Sequence, residues 1–123
     1  MKLAGKRILV VEDEPIVAML VEDILLDEGA AIVGPAANVA QAMLLAATAE
    51  IDAGFLDVNL NGEDSHCIAA KLRERGIPFV YATGYGTSGE MNTETPVIQK
   101  PYLPTQVAEV LQRLMSGPED LAG

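Results

Sequence analysis

In the stretch Phe55-Leu56-Asp57-Val58-Asn59-Leu60, a single carboxylate ends a short apolar run. An apolar run of this length is typical of a buried strand, and a polar residue at its end lies at the edge of the sheet. Asp57 is therefore either the first residue of a turn, where Asp is common, or a functional carboxylate at that edge. Turn preference alone makes the two alternatives about equally probable. The residues at the ends of the other predicted strands are therefore needed to choose between them.

The length and charge of the chain restrict the class of protein. The 123 residues suit one domain, predicted to span residues 1–123 with a frayed tail at 117–123. A formal net charge of −10 argues against binding to nucleic acid or anionic lipid. No apolar run is long enough to cross a bilayer, and the first residues lack a signal-peptide pattern, so we expect a cytoplasmic protein. Cys67, the single cysteine, excludes an internal disulfide.

Short apolar segments alternate with helical patterns along the chain. Continuous apolar runs bounded by turn residues predict strands, and apolar residues spaced three and four apart predict helices. Such an alternation predicts an α/β fold with a doubly wound parallel sheet covered by helices on both faces. The predicted strands are 7–11, 30–34, 53–56, 79–82 and 97–98, and the predicted helices are 15–28, 38–48, one between Gly62 and Gly76, and 104–115.

Two segments carry more specific expectations. In the first helix, Ile16, Leu20 and Ile24 repeat at helical spacing, with Val17 and Val21 beside them, and are predicted to face the sheet. The segment 83–95 is rich in Gly, Ser, Thr and Asn, which predicts a loop with at most a short, unstable helix.

Polar residues follow the predicted strands at one edge of the sheet. Ligands of open α/β sheets bind outside the carboxyl ends of the strands, where Glu12, Asp13, Asp57, Thr83 and Lys100 stand. Gathering three carboxylates is unfavourable unless a cation neutralises them, and carboxylate oxygens suit Mg²⁺. No histidine or thiol at these strand ends favours zinc.

Lys100 and Thr83 add groups that suit a phosphoryl group. A lysine ammonium and a threonine hydroxyl both donate hydrogen bonds to phosphoryl oxygens. Charge on the transferring group is then met by the metal, the lysine and the hydroxyl, while a carboxylate attacks phosphorus. The pattern predicts phosphoryl transfer to Asp57.

The chain resembles the receiver domain of two-component response regulators over nearly its whole length. The residues that carry the resemblance are the acidic pair Glu12-Asp13, then Asp57, Thr83-Gly84 and Lys100-Pro101. The resemblance implies a flavodoxin-like, three-layer α/β/α fold whose five-stranded sheet has the order 2-1-3-4-5. It implies that Asp57 is the phosphoacceptor, that Thr83 and Lys100 stabilise the phosphoryl group, and that Mg²⁺ is bound by Glu12, Asp13, Asp57 and the main-chain carbonyl of Asn59.

The resemblance also implies partners. Asp57 is expected to be phosphorylated by a sensor histidine kinase or a histidine phosphotransfer protein, and this change is expected to alter contacts with an unknown downstream protein. Apart from this self-catalysed transfer and slow autodephosphorylation, no enzyme activity is expected. No output domain is expected after Met115. The lone His66 is assigned no role, since an isolated histidine early on a helix is commonly a surface or cap residue.

The chain departs from the receiver pattern at the residues that relay the signal. Val97 stands where many receivers carry an aromatic residue, three positions before the lysine. Tyr81-Ala82-Thr83-Gly84-Tyr85 resembles the subgroup with a Phe-Ala-Thr-Gly-x-Tyr motif, so Tyr85 or Tyr102 is a candidate switch aromatic. The alternative is that Tyr81 belongs to the core and Tyr102 packs beside the last helix. In the turn after the strand that ends at Asp57, Asn61 replaces a proline that receivers often carry.

Two other functions of similar layout remain open from the sequence. An aspartate-nucleophile phosphatase typically has a second aspartate where Asn59 stands, and it needs a general acid that the sequence does not reveal. A small flavin-binding module needs a phosphate loop after its first strand, where Glu12-Asp13-Glu14 repels phosphate.

Overall fold

The computed structural model describes residues 3–57, 59–60, 63–83, 97–99 and 104–116. The predicted helices 15–28, 38–48 and 104–115 are present within one or two residues of their expected bounds. The elements in chain order are β1 (Arg7–Val11), α1 (Pro15–Asp27), β2 (Ala31–Ala36), α2 (Val39–Thr48), β3 (Ala53–Asp57), β4 (Asn59–Leu60), β5 (Glu63–Asp64), α3 (His66–Glu74), β6 (Phe79–Thr83), β7 (Val97–Gln99) and α4 (Pro104–Ser116).

The large sheet is parallel throughout its described pairs. Its strands lie in the order β2-β1-β3-β6-β7. The predicted α/β class and the order 2-1-3-4 of the first four strands are confirmed, and β7 pairs with β6 at the far edge. β1 and β3 are central, which agrees with their nearly continuous burial.

The two faces of the sheet carry separate hydrophobic cores. Successive strand residues point to opposite faces, so Ile8 and Val10 join one core, while Leu9 and Val11 join the other. The first core is closed by α1 and α4, and the second by α2 and α3. This is the three-layer arrangement that the alternating pattern predicts.

The ends of α2 show how local sequence sets the helix bounds. The Asn38 side chain accepts a hydrogen bond from the Gln41 N–H (2.8 Å), which confirms the predicted N-cap. At the other end of α2, the Arg75 guanidinium donates to the Ala46 carbonyl (2.7 Å) and so ties α2 to the residue after α3.

The prediction for the buried face of α1 is wrong in part. Ile24 and Val21 are buried as expected, but Ile16 is 82% exposed and Leu20 is 41% exposed. The inward stripe instead includes Ala18, which is 5% exposed. Because α1 is apolar around much of its circumference, helical spacing alone does not choose the stripe that the sheet covers.

Two strand predictions also need correction. β2 continues through Gly34 and Pro35 to Ala36, although the Gly-Pro pair was expected to end it. A short antiparallel hairpin, β4–β5, follows Asp57 where only a turn was expected, with Asn59 opposite Asp64. Strands this short carry too little pattern to be distinguished from a turn.

Several expectations concern residues that the structure does not describe. The predicted loop lies outside the described residues from Gly84 onward, as does the tail at 117–123. Among the described helices, none combines the length and the apolar character required to cross a membrane.

Candidate functional site

The register of the central strands brings two of the predicted carboxylates together. Val11 pairs with Leu56 in the parallel ladder between β1 and β3, so the next residues, Glu12 and Asp57, reach the same edge of the sheet. Asp57 is the last residue of β3, where it pairs with Ala82 of β6. The carboxyl ends of the two most central strands therefore deliver acidic side chains to one place.

Glu12 is held by backbone contacts on both sides. Its N–H donates to the Ala36 carbonyl at the end of β2 (3.0 Å). Its carboxylate oxygen Oε2 accepts a hydrogen bond from the Glu14 N–H (3.2 Å), just before α1 begins at Pro15. Hydrogen bonds from backbone N–H groups favour the charged form of a carboxylate and fix its direction.

Glu12, Asp13 and Asp57 form one acidic cluster. One carboxylate oxygen from each residue lies within 4.8 Å of the other two. Glu12 and Asp57 are buried, with 2% and 6% exposure, and Asp13 is half-buried. Sequence reasoning therefore predicted this grouping correctly.

The acidic cluster fits a hard divalent cation. Two negative charges no more than 4.8 Å apart repel by at least about 3 kcal/mol at an effective dielectric constant of about 20. A cation between them converts that repulsion into attraction, and three carboxylates supply only oxygen ligands, the donor set that suits Mg²⁺. Asp13 is half-buried, so solvent reaches one side of the acidic cluster, and Mg²⁺ in proteins usually retains several water ligands.

Other predicted site residues are described only in part. The backbone of Asn59 lies in β4, two residues after Asp57, and the backbone of Thr83 ends β6 opposite Gln99 of β7. The roles assigned to the Asn59 carbonyl and the Thr83 hydroxyl stay predictions. Lys100, Tyr85 and Tyr102 lie outside the described residues, so their assigned roles also stay predictions.

Tyr81 is part of the core, as one of the two alternatives held. It is 2% exposed and contacts the ring of Phe79 edge to face, with centroids 5.5 Å apart. His66 makes a second edge contact with Tyr81, with centroids 6.2 Å apart. Tyr81 also pairs with Val97 between β6 and β7, at the position where many receivers carry an aromatic residue. The contact of His66 was missed, because no sequence spacing links α3 to β6.

Sequence reasoning also missed the part that β2 plays at the site. Ala36 contributes a backbone carbonyl that accepts the hydrogen bond from the Glu12 N–H, and a pattern of side chains cannot predict such a backbone contact. The available signal was Gly34-Pro35, which was interpreted as the end of β2.

Comparison with known proteins identifies the family. Residues 8–111 match the model of the response regulator receiver domain, so the chain belongs to that family and is a receiver domain of a two-component system. Receiver domains interact with sensor histidine kinases. This is the family that the resemblance in the sequence implied, and its members are typically phosphoacceptors.

Two solved structures illustrate the similarity. SdrG from Sphingomonas melonis Fr1 is 41% identical, with a TM-score of 0.77 over 94% of this chain and 98% of SdrG. The receiver domain of the sensor histidine kinase PA1611 from Pseudomonas aeruginosa PAO1 is 25% identical, with a TM-score of 0.80 over 93% of this chain and 100% of that domain. The latter structure has a magnesium ion coordinated in its active site cleft.

A curated relative is longer than this chain. The uncharacterized transcriptional regulatory protein YbdJ from Bacillus subtilis (strain 168) is 32% identical over 81 residues. The match covers 64% of this chain but only 35% of YbdJ. The chain therefore spans about a third of the length of this relative.

Proposed function

We propose that residues 1–123 act as one receiver domain in which Asp57 accepts a phosphoryl group from a phosphohistidine on a donor protein. The acidic cluster carries this proposal, because Asp57 ends a central strand within 4.8 Å of the Glu12 and Asp13 carboxylate oxygens. An aspartate that served only as a turn residue has no need of two further buried or half-buried acids beside it.

The transfer exchanges one bond to phosphorus for another. An oxygen of the Asp57 carboxylate attacks phosphorus in line with the leaving imidazole nitrogen. The bond from phosphorus to that nitrogen breaks, the imidazole of the donor takes up a proton from water, and an acyl phosphate remains on Asp57. The protein mainly positions the groups and stabilises charge, which is how phosphoryl transfer is commonly catalysed.

Glu12, Asp13, Asp57 and the main-chain carbonyl of Asn59 are the proposed ligands of Mg²⁺. When bound there, the ion would supply positive charge to offset the negative charge that develops on the phosphoryl oxygens. Glu12 is suited to hold the ion in a fixed place, since its backbone and its carboxylate are both hydrogen-bonded. The similarity to the PA1611 receiver domain, which coordinates magnesium in its cleft, supports the choice of metal.

Thr83 and Lys100 are the proposed partners of the phosphoryl oxygens. Thr83 ends β6, the strand beside β3, so its backbone reaches the edge of the sheet where Asp57 lies. A hydroxyl and an ammonium at this edge can hydrogen-bond to the transferred group. SdrG from Pseudomonas melonis Fr1 in its BeF3-activated conformation is 40% identical, with a TM-score of 0.75 over 91% of this chain. This similarity supports a comparable activated state here.

The beginning of α1 is the proposed contact for the donor protein. Ile16, Met19 and Leu20 are 82%, 63% and 41% exposed and share one side of the first turns of the helix. These turns follow directly after Glu12 and Asp13, so a protein that brings a phosphohistidine to Asp57 can cover them. We propose that a sensor histidine kinase or a histidine phosphotransfer protein, which offer the same phosphohistidine chemistry, docks there.

The proposed phosphorylation can be tested with a small phosphodonor. The wild type incubated with Mg²⁺ and acetyl phosphate is expected to gain the mass of one phosphoryl group, measured by intact-protein mass spectrometry. Asp57→Asn should gain none, whereas Asp27→Asn, which changes an exposed acid at the end of α1, should be labelled as the wild type is. Labelling of Asp57→Asn to the wild-type level would show that another residue is the acceptor.

A further inference from the structure

β2 is irregular next to the acidic cluster. Leu9 of β1 pairs with Val33, but Val11 pairs with Ala36, so β2 advances three residues while β1 advances two. Such a bulge bends one strand and redirects the groups that follow it. Here it brings the Ala36 carbonyl to the Glu12 N–H, with a hydrogen bond of 3.0 Å.

Gly34 lies inside this bulge in a conformation that favours glycine. Its φ is +101°, a region that residues with a side chain rarely adopt. A Cβ atom at this position would lie 2.8 Å from the Ala36 nitrogen and 3.2 Å from the Val10 carbonyl oxygen. Both atoms belong to the backbone, so a side-chain rotation cannot relieve either contact. A substitution at Gly34 must therefore move β2 relative to β1.

A side chain at Gly34 would displace Ala36, the residue that accepts the backbone hydrogen bond of Glu12. The Cβ contact falls on Ala36, whose carbonyl accepts the hydrogen bond from Glu12. Glu12 is 2% exposed, and its carboxylate oxygen lies within 4.8 Å of oxygens of Asp13 and Asp57. A shift of Ala36 therefore changes the distance between the Glu12 carboxylate and the other two carboxylates.

We infer that Gly34 is a positioning residue of the metal site, which acts through Ala36 to set the location of Glu12. The inference rests on the proposed Mg²⁺ role of the acidic cluster. Gly34 is not among the proposed ligands of the metal, so its effect resembles that of the outer partners that orient metal ligands. Loss of such a partner typically weakens metal binding by about 10-fold to 100-fold.

The test compares Mg²⁺ affinity in three proteins by isothermal titration calorimetry: the wild type, Gly34→Ala and Gly76→Ala. Gly76 is the matched control, because it also has a positive φ (+73°) but has no atom within 4 Å of the added Cβ. The Kd for Mg²⁺ should rise about tenfold in Gly34→Ala and stay within about twofold of the wild type in Gly76→Ala. Urea unfolding of both variants separates this effect from a general loss of stability.

Three results would overturn the inference in different ways. An unchanged Kd in Gly34→Ala refutes the positioning role and leaves the proposed function intact. A wild type that binds no Mg²⁺ refutes the metal site of the proposed function and the inference with it. A smaller Kd change than in Gly76→Ala also contradicts the inference.

A second measurement covers the case in which Gly34→Ala does not fold. Mg²⁺ is added stepwise to the ¹⁵N-labelled wild type, and amide signals are followed by NMR. The signals of Gly34 and Ala36 should shift with the same midpoint as that of Asp13, while the signal of Gly76 stays fixed. Unmoved signals from Gly34 and Ala36 would show that the bulge is not coupled to the metal site.

Discussion

Replacing Ile16 by alanine should slow phosphoryl transfer from a phosphohistidine donor protein without slowing transfer from acetyl phosphate. Ile16 is 82% exposed in the first turn of α1, next to the acidic cluster. A donor protein that docks on α1 covers this side chain, whereas a small phosphodonor reaches Asp57 without touching it. The substitution therefore separates docking from chemistry.

The size of the effect follows from the surface that docking can bury. The substitution removes three carbon atoms, each worth about 0.8 kcal/mol when fully buried. Since 82% of the residue is exposed and thus available for burial, the loss is about 2 kcal/mol. This free energy corresponds to a decrease of about 30-fold in kcat/KM for the donor protein.

Leu44→Ala is the matched control. Leu44 is 65% exposed and also loses three carbon atoms, but it lies on α2, which packs on the opposite face of the sheet. The donor is a phosphorylated kinase core, chosen from a panel because it phosphorylates the wild type. The rate of transfer is measured as the amount of labelled phosphoryl group on Asp57 over time. The docking argument is refuted if Ile16→Ala keeps the wild-type kcat/KM, or if Leu44→Ala loses as much.

Three further predictions concern stability and the metal. Gly54→Ala should destabilise the protein by about 1–3 kcal/mol in urea unfolding, because its Cβ would lie 2.9 Å from Leu56 Cδ1 and 3.2 Å from Phe79 Cβ in a closed core; an unchanged midpoint contradicts this. Asn38→Ala should lower the free energy of unfolding by about 1 kcal/mol through the lost cap of α2, while Asn38→Gly should lower it by less. Addition of EDTA should abolish labelling by acetyl phosphate and lower the unfolding midpoint, and excess Mg²⁺ should restore both; labelling that persists without a divalent cation would refute the metal role.

The strands and the site were predictable where side chains carry the information. Apart from Arg7 and Asp57, the residues of β1 and β3 are apolar and buried, so their composition alone predicted buried strands of a parallel sheet. Once these strands are parallel neighbours, Glu12 and Asp57 must reach the same edge. The grouping of the acidic cluster therefore followed from topology and from the residue after each strand.

The predictions were wrong for the end of β2, which depends on backbone conformation, and for the buried face of α1, which depends on competition between two apolar faces of the helix. The continuation of β2 depends on the bulge at Gly34, and a Gly-Pro pair looks the same in sequence whether it ends a strand or bends it. The inward face of α1 depends on which of two apolar stripes the sheet can cover, and Ile16 was assigned to the wrong one. Neither choice is local, so no single-sequence pattern could settle it.

The acidic cluster and the exposed side of α1 are held in place by different parts of the fold. This difference predicts how substitutions at each of them affect phosphoryl transfer. The acidic cluster is built on β1 and β3, whose register and burial tie Glu12 and Asp57 to the core. The exposed side of α1 has no such tie, since Ile16 can change without loss of packing. Substitutions on α1 should therefore alter the choice of donor while chemistry at Asp57 persists. Changes in the register between β1 and its neighbours should instead alter metal affinity for every donor alike.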